Sequence, residues 1–152
     1  MKTTRMNSFQ VIGIKVRTTN ENMQAAKDIP ALWEQFMTNN IFEKIPNKEN
    51  NDVYAIYTNY ESDYTGAYDM IIGCKVYNLN EVPSEMSALE IPETSYQEFT
   101  AEGKLNDNIV YNKWMEIWQS ELNREYKADF EIYPENVVPT EDTKVPIYIS
   151  VR

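Results

Sequence analysis

The sequence predicts an α+β fold with a mostly antiparallel sheet and two main helices. Three observations predict it: two amphipathic helical segments, several strand-like runs around them, and the order strand, helix, strand, strand occurring twice. The chain has 152 residues, of which 42% are hydrophobic and 25% charged, as in one ordinary globular domain. We therefore predict a single domain, 1–152, built from two similar halves at approximately 8–77 and 87–152 and related by a pseudo-twofold axis.

Two amphipathic segments predict the main helices. Asp28 is a suitable N-cap and Pro30 fits the first helical turn, so helix one should run over about 28–40. Helix two should run over about 106–126, where apolar residues recur at the spacing of one helix face. The apolar stripes of these helices carry the three tryptophans, Trp33, Trp114 and Trp118.

Six segments rich in β-branched and aromatic residues predict strands. Consecutive strands joined by turns favour antiparallel pairing, with the helices to one side of the sheet. A seam between two related halves is a natural place for a cleft. The predicted strands cover approximately 8–17, 53–58 and 67–77 in the first half and 95–100, 129–134 and 145–151 in the second.

Similar residues at a fixed offset support a duplicated unit. Residues 54–57 (YAIY) recur as residues 130–133 (FEIY), and residues 71–73 (IIG) fall at the same offset as residues 147–149 (IYI). The alternative is a chance match, because β-branched and aromatic residues dominate any strand.

One position of this repeat changes its chemistry, since Glu131 stands where the first half has Ala55. Strand alternation places Asp129, Glu131 and Tyr133 on one face. That face is either solvated, as is ordinary in an antiparallel sheet, or it lines a cleft. In a cleft, desolvation would raise the pKa of Glu131 and favour a cationic or hydrogen-bond-donating ligand.

Aromatic side chains are the other candidates for a binding site. Rings around a buried acid would add cation–π attraction, although each ring alone could instead pack in the core. The segment 57–66, dense in tyrosines and acids, could form the rim of a pocket or equally a polar hairpin tip. The candidate rings are those of Tyr133, Trp33, Tyr57, Tyr68, Trp114, Trp118 and Tyr148.

Composition argues against several classes of chemistry. The net charge of −10 repels phosphate backbones, so we expect no direct binding to nucleic acid. The chain has no histidine, which removes Ser-His-Asp and Cys-His nucleophiles and most zinc sites, and we expect neither a metal nor a cofactor. Its single cysteine, Cys74, reads as a buried strand residue. No apolar run approaches the ~20 residues that span a bilayer, so we expect a cytoplasmic protein with no membrane partner.

Several short motifs follow one another in a fairly specific order. They are residues 11–14 (VIGI), 30–36 (PALWEQF), 57–63 (YTNYESD), 71–73 (IIG), 96–99 (YQEF), a helix from Trp114 to Trp118, residues 129–133 (DFEIY) and residues 147–149 (IYI). In this order they resemble the GyrI-like small-molecule-binding family, also described as the effector-binding domain of certain bacterial transcription activators. The resemblance covers essentially the whole chain.

This resemblance implies two strand-helix-strand-strand units with a hydrophobic groove for bulky, often cationic and lipophilic compounds. It also implies that the acid of the Asp-Phe-Glu-Ile-Tyr strand, Glu131, is the buried counter-charge. In activators of this type the domain is fused to a DNA-binding helix-turn-helix, and we expect this chain to be a standalone copy without one.

We therefore expect a module that senses or sequesters small amphipathic or cationic organic compounds, with Glu131 balancing their charge. Two alternatives stay open. Some standalone members of the family resemble hydrolases of reactive electrophilic molecules. Such a hydrolase would use Glu131 as a general base and a tyrosine hydroxyl as a hydrogen-bond donor. An acidic protein-interaction module, such as a gyrase inhibitor, would bind a basic partner with strong salt dependence.

Overall fold

The computed structural model describes residues 3–63, 65–135 and 137–152. Within these ranges the chain forms eight strands, two main α-helices, one short α-helix and two 3-10 turns. The strands are β1 (Thr3–Met6), β2 (Phe9–Thr19), β3 (Val53–Thr58), β4 (Ala67–Val76), β5 (Ser87–Ile91), β6 (Thr94–Lys104), β7 (Ala128–Tyr133) and β8 (Asp142–Val151). The helices are α1 (Gln24–Thr38), α2 (Ile41–Lys44) and α3 (Ile109–Gln119).

All the described strands join one antiparallel sheet in the order β1-β6-β8-β7-β3-β4-β2-β5. The first unit, β2-α1-β3-β4, meets the second unit, β6-α3-β7-β8, where β3 pairs with β7. This confirms the predicted α+β class and its two symmetric units. The outer limits of the repeat, 8–77 and 87–152, stay a prediction.

Two edge strands that the sequence did not predict tie the units together. β1 comes before the first unit in the chain but pairs with β6 of the second, and β5 comes before the second unit but pairs with β2 of the first. The sheet of the first unit is therefore completed by β5, and the sheet of the second unit by β1. Both strands are short: β1 is largely exposed, whereas β5 alternates exposed residues with Leu89 and Ile91, which pack into the core.

The pseudo-twofold axis passes through the centre of the sheet, between Ala55 and Glu131. These two residues lie directly opposite each other in the β3–β7 pair. On either side of them, Tyr54 faces Ile132 and Phe130 faces Ile56, and a half-turn about the axis exchanges these two pairs. The position at which the repeat changes from alanine to glutamate is therefore the symmetry axis itself.

The strands on either side of the central pair, β4 and β8, show that one part of the sequence repeat is misaligned. Gly73 lies opposite Tyr54, and Tyr148 lies opposite Phe130. Gly73 therefore corresponds to Tyr148, whereas the fixed offset of the sequence repeat had matched it with Ile149. A one-residue shift reverses the face of every side chain in a strand, which matters for Tyr148 below.

Helix α1 begins one turn earlier than predicted, at Gln24. Asp28 is therefore not the N-cap but lies inside the helix, where its carboxylate accepts a hydrogen bond of 3.1 Å from the Gln24 amide. Pro30 also lies in the helix interior rather than in its first turn. Residues 24–27 (QAAK) are good helix formers, and their propensity extends the helix on the N-terminal side of the proline.

Helix α3 is shorter than the predicted 106–126. It is preceded by a 3-10 turn, Leu105–Asp107, and it ends at Gln119. The chain then runs back along β8, where the Glu125 amide donates to the Ser150 carbonyl and Arg124 forms a β-bridge with Val151. Long-range pairing with β8 thus overrides the helical propensity of residues 120–126.

The two faces of the sheet form separate parts of the core. Helices α1 and α3 cover one face, where the side chains of Phe36, Trp114 and Ile147 are buried. The other face carries an aromatic cluster that includes Tyr96 and Phe130. None of the helices in the described ranges is long and apolar enough to cross a bilayer.

Candidate functional site

Glu131 lies at the centre of the helix-covered face and is only 1% exposed. Its cross-strand neighbours are Ala55 on β3 and Ile147 on β8. Asp129, two residues earlier on the same face, is completely buried. This face of β7 is therefore not the solvated face of an antiparallel sheet, because both of its carboxylates are enclosed by protein.

Three side chains donate hydrogen bonds to the Glu131 carboxylate. The Tyr57 hydroxyl and the Trp114 indole N–H donate to Oε2 at 2.8 and 2.6 Å. The Tyr133 hydroxyl donates to Oε1 at 2.7 Å. Tyr57 and Tyr133 occupy equivalent positions about the pseudo-twofold axis, so the single acid is held by a symmetric pair of tyrosines.

The two main helices contribute corresponding tryptophans to this arrangement. Trp114 of α3 packs edge-on against Tyr57, with ring centroids 5.3 Å apart. Trp33 of α1 packs edge-on against Tyr133 at 5.0 Å. Each half therefore supplies one tyrosine from its central strand and one tryptophan from its helix.

Burial sets the electrostatics of this group of side chains. Desolvation raises the pKa of Glu131, while the hydrogen bonds from Tyr133, Trp114 and Tyr57 act in the opposite direction. Desolvation and the nearby Glu131 charge also raise the pKa of Tyr57 and Tyr133 well above its ordinary value. Both tyrosines stay neutral at physiological pH and act as hydrogen-bond donors.

A cavity of about 500 Å³ opens above Glu131, between α1 and α3. Glu131 is the single acidic residue among the described residues that line the cavity. The walls are mainly apolar. Trp118 and Tyr111 stand at the mouth on α3, where they are 38% and 57% exposed. Its aromatic lining consists of Trp33, Tyr57, Tyr60, Tyr68, Tyr111, Trp114, Trp118 and Tyr133.

Comparison with known proteins identifies the family of this chain. Residues 3–151 match the family described as Cass2, integron-associated effector binding protein. The chain belongs to this family. Membership confirms the predicted resemblance to effector-binding domains and supports the binding of small molecules.

Individual relatives have similar lengths and folds. YobU of Bacillus subtilis (strain 168), a candidate transcriptional regulator, is 27% identical over 98% of this chain and 96% of its own length. The integron cassette protein VCH_CASS2 from the mobile metagenome of Vibrio cholerae is 34% identical, with a TM-score of 0.77 over 99% of this chain and 95% of its own. The structure of SAV2435 bound to tetraphenylphosphonium shares the fold, with a TM-score of 0.81 at 18% identity over 99% of this chain and 93% of that one.

Seven of the eight side chains that the sequence singled out meet in this one cavity of the effector-binding fold. They are Glu131, Tyr133, Tyr68, Trp114, Trp118, Trp33 and Tyr57. Tyr68 lies at the α1 end, where its hydroxyl donates to the Asn20 side chain at 2.8 Å. The roles of these residues as ligand contacts stay a prediction.

Tyr148 is not part of this cavity, and its assignment to it is wrong. Because Tyr148 lies opposite Phe130 in the β7–β8 pair, it points to the other face of the sheet. Its ring stacks on Phe130 with centroids 5.1 Å apart and also contacts Tyr96. The sequence repeat does not show this orientation, because β8 is shifted by one residue relative to the fixed offset of the repeat.

Three lining residues were missed or left open by the sequence. Tyr60 belongs to the tyrosine-rich segment 57–66, and its position on the cavity wall shows that this segment reaches the pocket. Tyr64 of the same segment lies outside the described residues. Tyr111 occupies the rim, and Arg124 follows α3 in a segment that was predicted to be helical.

Arg124 belongs to a second buried polar group beside the cavity. Its Nη2 atom donates to Asp129 Oδ2 at 2.7 Å, and the Tyr60 hydroxyl donates to the same oxygen at 2.6 Å. The backbone N–H and hydroxyl of Ser150 donate to Asp129 Oδ1 at 2.8 and 3.1 Å. Asp129 is thus fully engaged, whereas Glu131 is held by neutral donors.

The described residues do not form a metal centre. No group of three or more acidic or cysteine side chains is placed to hold a metal ion within the ranges that the structure covers. Cys74 is buried in β4, and desolvation raises its pKa to about 12, so it is a thiol rather than a thiolate at neutral pH.

Proposed function

We propose that this protein binds lipophilic organic cations in the cavity between α1 and α3, with Glu131 as the counter-charge. One observation carries the proposal: Glu131 is a buried carboxylate that forms no ion pair with any described residue. A buried charge held only by neutral donors is costly, and a cationic ligand would offset that cost.

The walls of the cavity suit such a ligand. Aromatic rings attract cations through the negative faces of their π-systems, with about 0.5–2 kcal/mol per well-placed ring depending on desolvation. The cavity volume of about 500 Å³ lies within the range of small-molecule sites, roughly 300–1,000 Å³. A bulky cation with aromatic substituents would bury its apolar surface there and place its charge above Glu131.

Similar proteins support the same ligand class. The family description specifies effector binding, and SAV2435, which is similar in fold, was solved with tetraphenylphosphonium. This cation and its smaller relative methyltriphenylphosphonium are therefore the first probes to use.

A direct test compares a cation with a neutral molecule of similar shape. Methyltriphenylphosphonium and triphenylphosphine oxide share three phenyl groups on phosphorus and differ in net charge. Isothermal titration calorimetry should show saturable, stoichiometric binding of the cation and at least tenfold weaker binding of the neutral oxide. Equal affinities for the two probes would contradict the proposed role of Glu131.

The hydrolase alternative uses the same residue but places a different demand on it. As a general base Glu131 would have to accept a proton from water, yet three of its roughly four lone-pair sites already accept hydrogen bonds. We therefore favour binding over turnover. Product formed from an electrophilic probe by the wild-type protein, and not after Glu131→Gln, would reverse this preference.

A further inference from the structure

Helices α1 and α3 present the same three positions to the cavity. Each helix contributes a tryptophan and the residues three and four positions before it. The set consists of Ile29, Pro30 and Trp33 on α1 and of Val110, Tyr111 and Trp114 on α3. The two helix walls therefore match in the spacing of their lining residues as well as in their tryptophans.

A tyrosine from the central strands completes each half of the cavity. Tyr133 packs against Trp33, and Tyr57 packs against Trp114. Each tyrosine stands two residues from the pseudo-twofold axis, in opposite directions along the sheet. Two residues of a strand span about 6–7 Å, so the tyrosines lie at about that distance on either side of the axis. The α1 half-site thus consists of Ile29, Pro30, Trp33 and Tyr133, and the α3 half-site of Val110, Tyr111, Trp114 and Tyr57.

The acidic residue lies between the half-sites rather than inside one of them. Glu131 is on the axis, opposite Ala55. Tyr57 of the α3 half-site donates to one oxygen of its carboxylate, and Tyr133 of the α1 half-site donates to the other. A cation above this carboxylate therefore has one aromatic half-site on each side.

The equivalence of the two sides does not extend to the whole cavity. Tyr60 and Tyr68 line a further part beside Tyr57, where the ring centroids of Tyr57 and Tyr68 are 5.9 Å apart. The position on β8 equivalent to Tyr68 holds Thr143, which is not among the described lining residues. This part of the cavity can hold an additional substituent, so the half-sites set a minimum of two aromatic groups and not an upper limit.

We propose that the preferred ligands are cations whose charge lies midway between two aromatic groups, each of which occupies one half-site. This inference rests on the proposed function of the cavity, because Glu131 still binds the cationic centre. A cation with its charge at one end of its aromatic part must leave one half-site empty or move its charge away from Glu131. The site therefore selects ligands by the position of the charge within the molecule.

Two isomeric cations test this selection, because they share one molecular formula, one positive charge and two benzene rings. Dibenzyldimethylammonium carries its nitrogen between the rings, whereas (biphenyl-4-ylmethyl)trimethylammonium carries it at one end. Calorimetric titration of the wild-type protein should give the dibenzyl cation about 5- to 20-fold higher affinity, as one additional well-buried ring provides. The dibenzyl cation is the more flexible isomer and loses more entropy on binding, so rigidity does not explain a preference for it.

A crystal structure locates the two aromatic groups directly. In bis(4-bromobenzyl)dimethylammonium, each ring is marked by the anomalous scattering of its bromine atom. We expect one bromine atom in each half-site and the nitrogen atom above Glu131. Two bromine atoms on the side of the same tryptophan would overturn the inference.

A matched pair of variants tests whether both half-sites are occupied. Ile29→Ala removes apolar surface from the α1 half-site, and Val110→Ala removes it from the α3 half-site. Each should weaken binding of the dibenzyl cation about 2- to 5-fold. Tyr148→Phe, outside the cavity, is the control and should keep the wild-type affinity. A loss in only one of the two helix variants, with both folded by circular dichroism, would show that the cation uses a single half-site.

The outcomes separate this inference from the proposed function. Equal affinities for the two isomers, or a higher affinity for the biphenyl cation, overturn the inference and leave the role of Glu131 intact. Binding of methyltriphenylphosphonium without binding of the dibenzyl cation has the same meaning. If neither isomer nor methyltriphenylphosphonium binds, both proposals are overturned. The comparison of isomers on the wild-type protein decides these outcomes even if a variant does not fold.

Discussion

Replacement of Glu131 by glutamine removes one negative charge and keeps the size and shape of the side chain. The side-chain oxygen of the new glutamine can accept from Tyr57 and Trp114 at the place of Oε2. The amide nitrogen then takes the place of Oε1 and donates to the Tyr133 oxygen, since a hydroxyl can accept as well as donate. All the hydrogen bonds around position 131 can therefore be kept, and the substitution isolates the charge.

The expected loss follows from the distance between two charges. In a bulky phosphonium the phenyl groups keep the charge about 6 Å from the carboxylate, and with an effective dielectric constant of about 20 the attraction is about 3 kcal/mol. That energy corresponds to roughly a 100-fold weaker affinity for the cation. The affinity for neutral triphenylphosphine oxide should change less than about threefold.

Calorimetry or tryptophan fluorescence measures both affinities, since Trp33 and Trp114 line the cavity. Glu90→Gln removes the same charge from the exposed edge strand β5 and is the matched control, with less than about a twofold effect on either probe. A Glu131→Gln protein that binds the cation as tightly as the wild type would refute the electrostatic reasoning. A parallel loss of both affinities would point instead to a collapsed cavity.

Other consequences concern pH, symmetry and the two faces of the sheet. Because burial raises the folded-state pKa of Glu131, its stabilising contribution is complete at acid pH and is lost as pH rises through that pKa, so Glu131→Gln should raise the melting temperature of the ligand-free protein at pH 7 and not at pH 4. Cation affinity should decrease as the pH is lowered from 8 to 4, because protonation of Glu131 removes the negative charge that attracts the cation. Ala55→Glu places a second buried carboxylate directly opposite the first and should lower the free energy of unfolding in urea by about 3 kcal/mol or more. Trp118→Ala, at the cavity mouth, should weaken cation binding about 3- to 10-fold, while Tyr148→Phe, on the opposite face, should leave it unchanged.

Strand alternation was enough to predict where Glu131 points. The sequence places Glu131 and Tyr133 on one face of a strand, and the structure has them hydrogen-bonded there. The helix stripes likewise brought Trp33 and Trp114 to the face that α1 and α3 cover. Alternation could not decide whether that face was solvated, because burial depends on the packing of both helices over the sheet.

The errors come from long-range pairing that leaves no local signal. Tyr148 was a candidate ring of the cavity, but it lies opposite Phe130 on the other face, and only the cross-strand register reveals this. Arg124 was hidden in a segment with helical propensity that instead pairs along β8. The edge strands β1 and β5 each pair with a strand of the other unit, and such short segments carry no sequence signal for that partner.

A crystal structure of the protein with methyltriphenylphosphonium is the most direct test of the central claim. We expect the phosphorus atom between α1 and α3, within about 7 Å of a Glu131 carboxylate oxygen and with phenyl groups against Trp33 and Trp114. The opposite face of the sheet has a smaller groove, lined by Phe9, Tyr54 and Phe130 among others. A cation bound in that groove, or one bound with Glu131 turned away from it, would contradict the account.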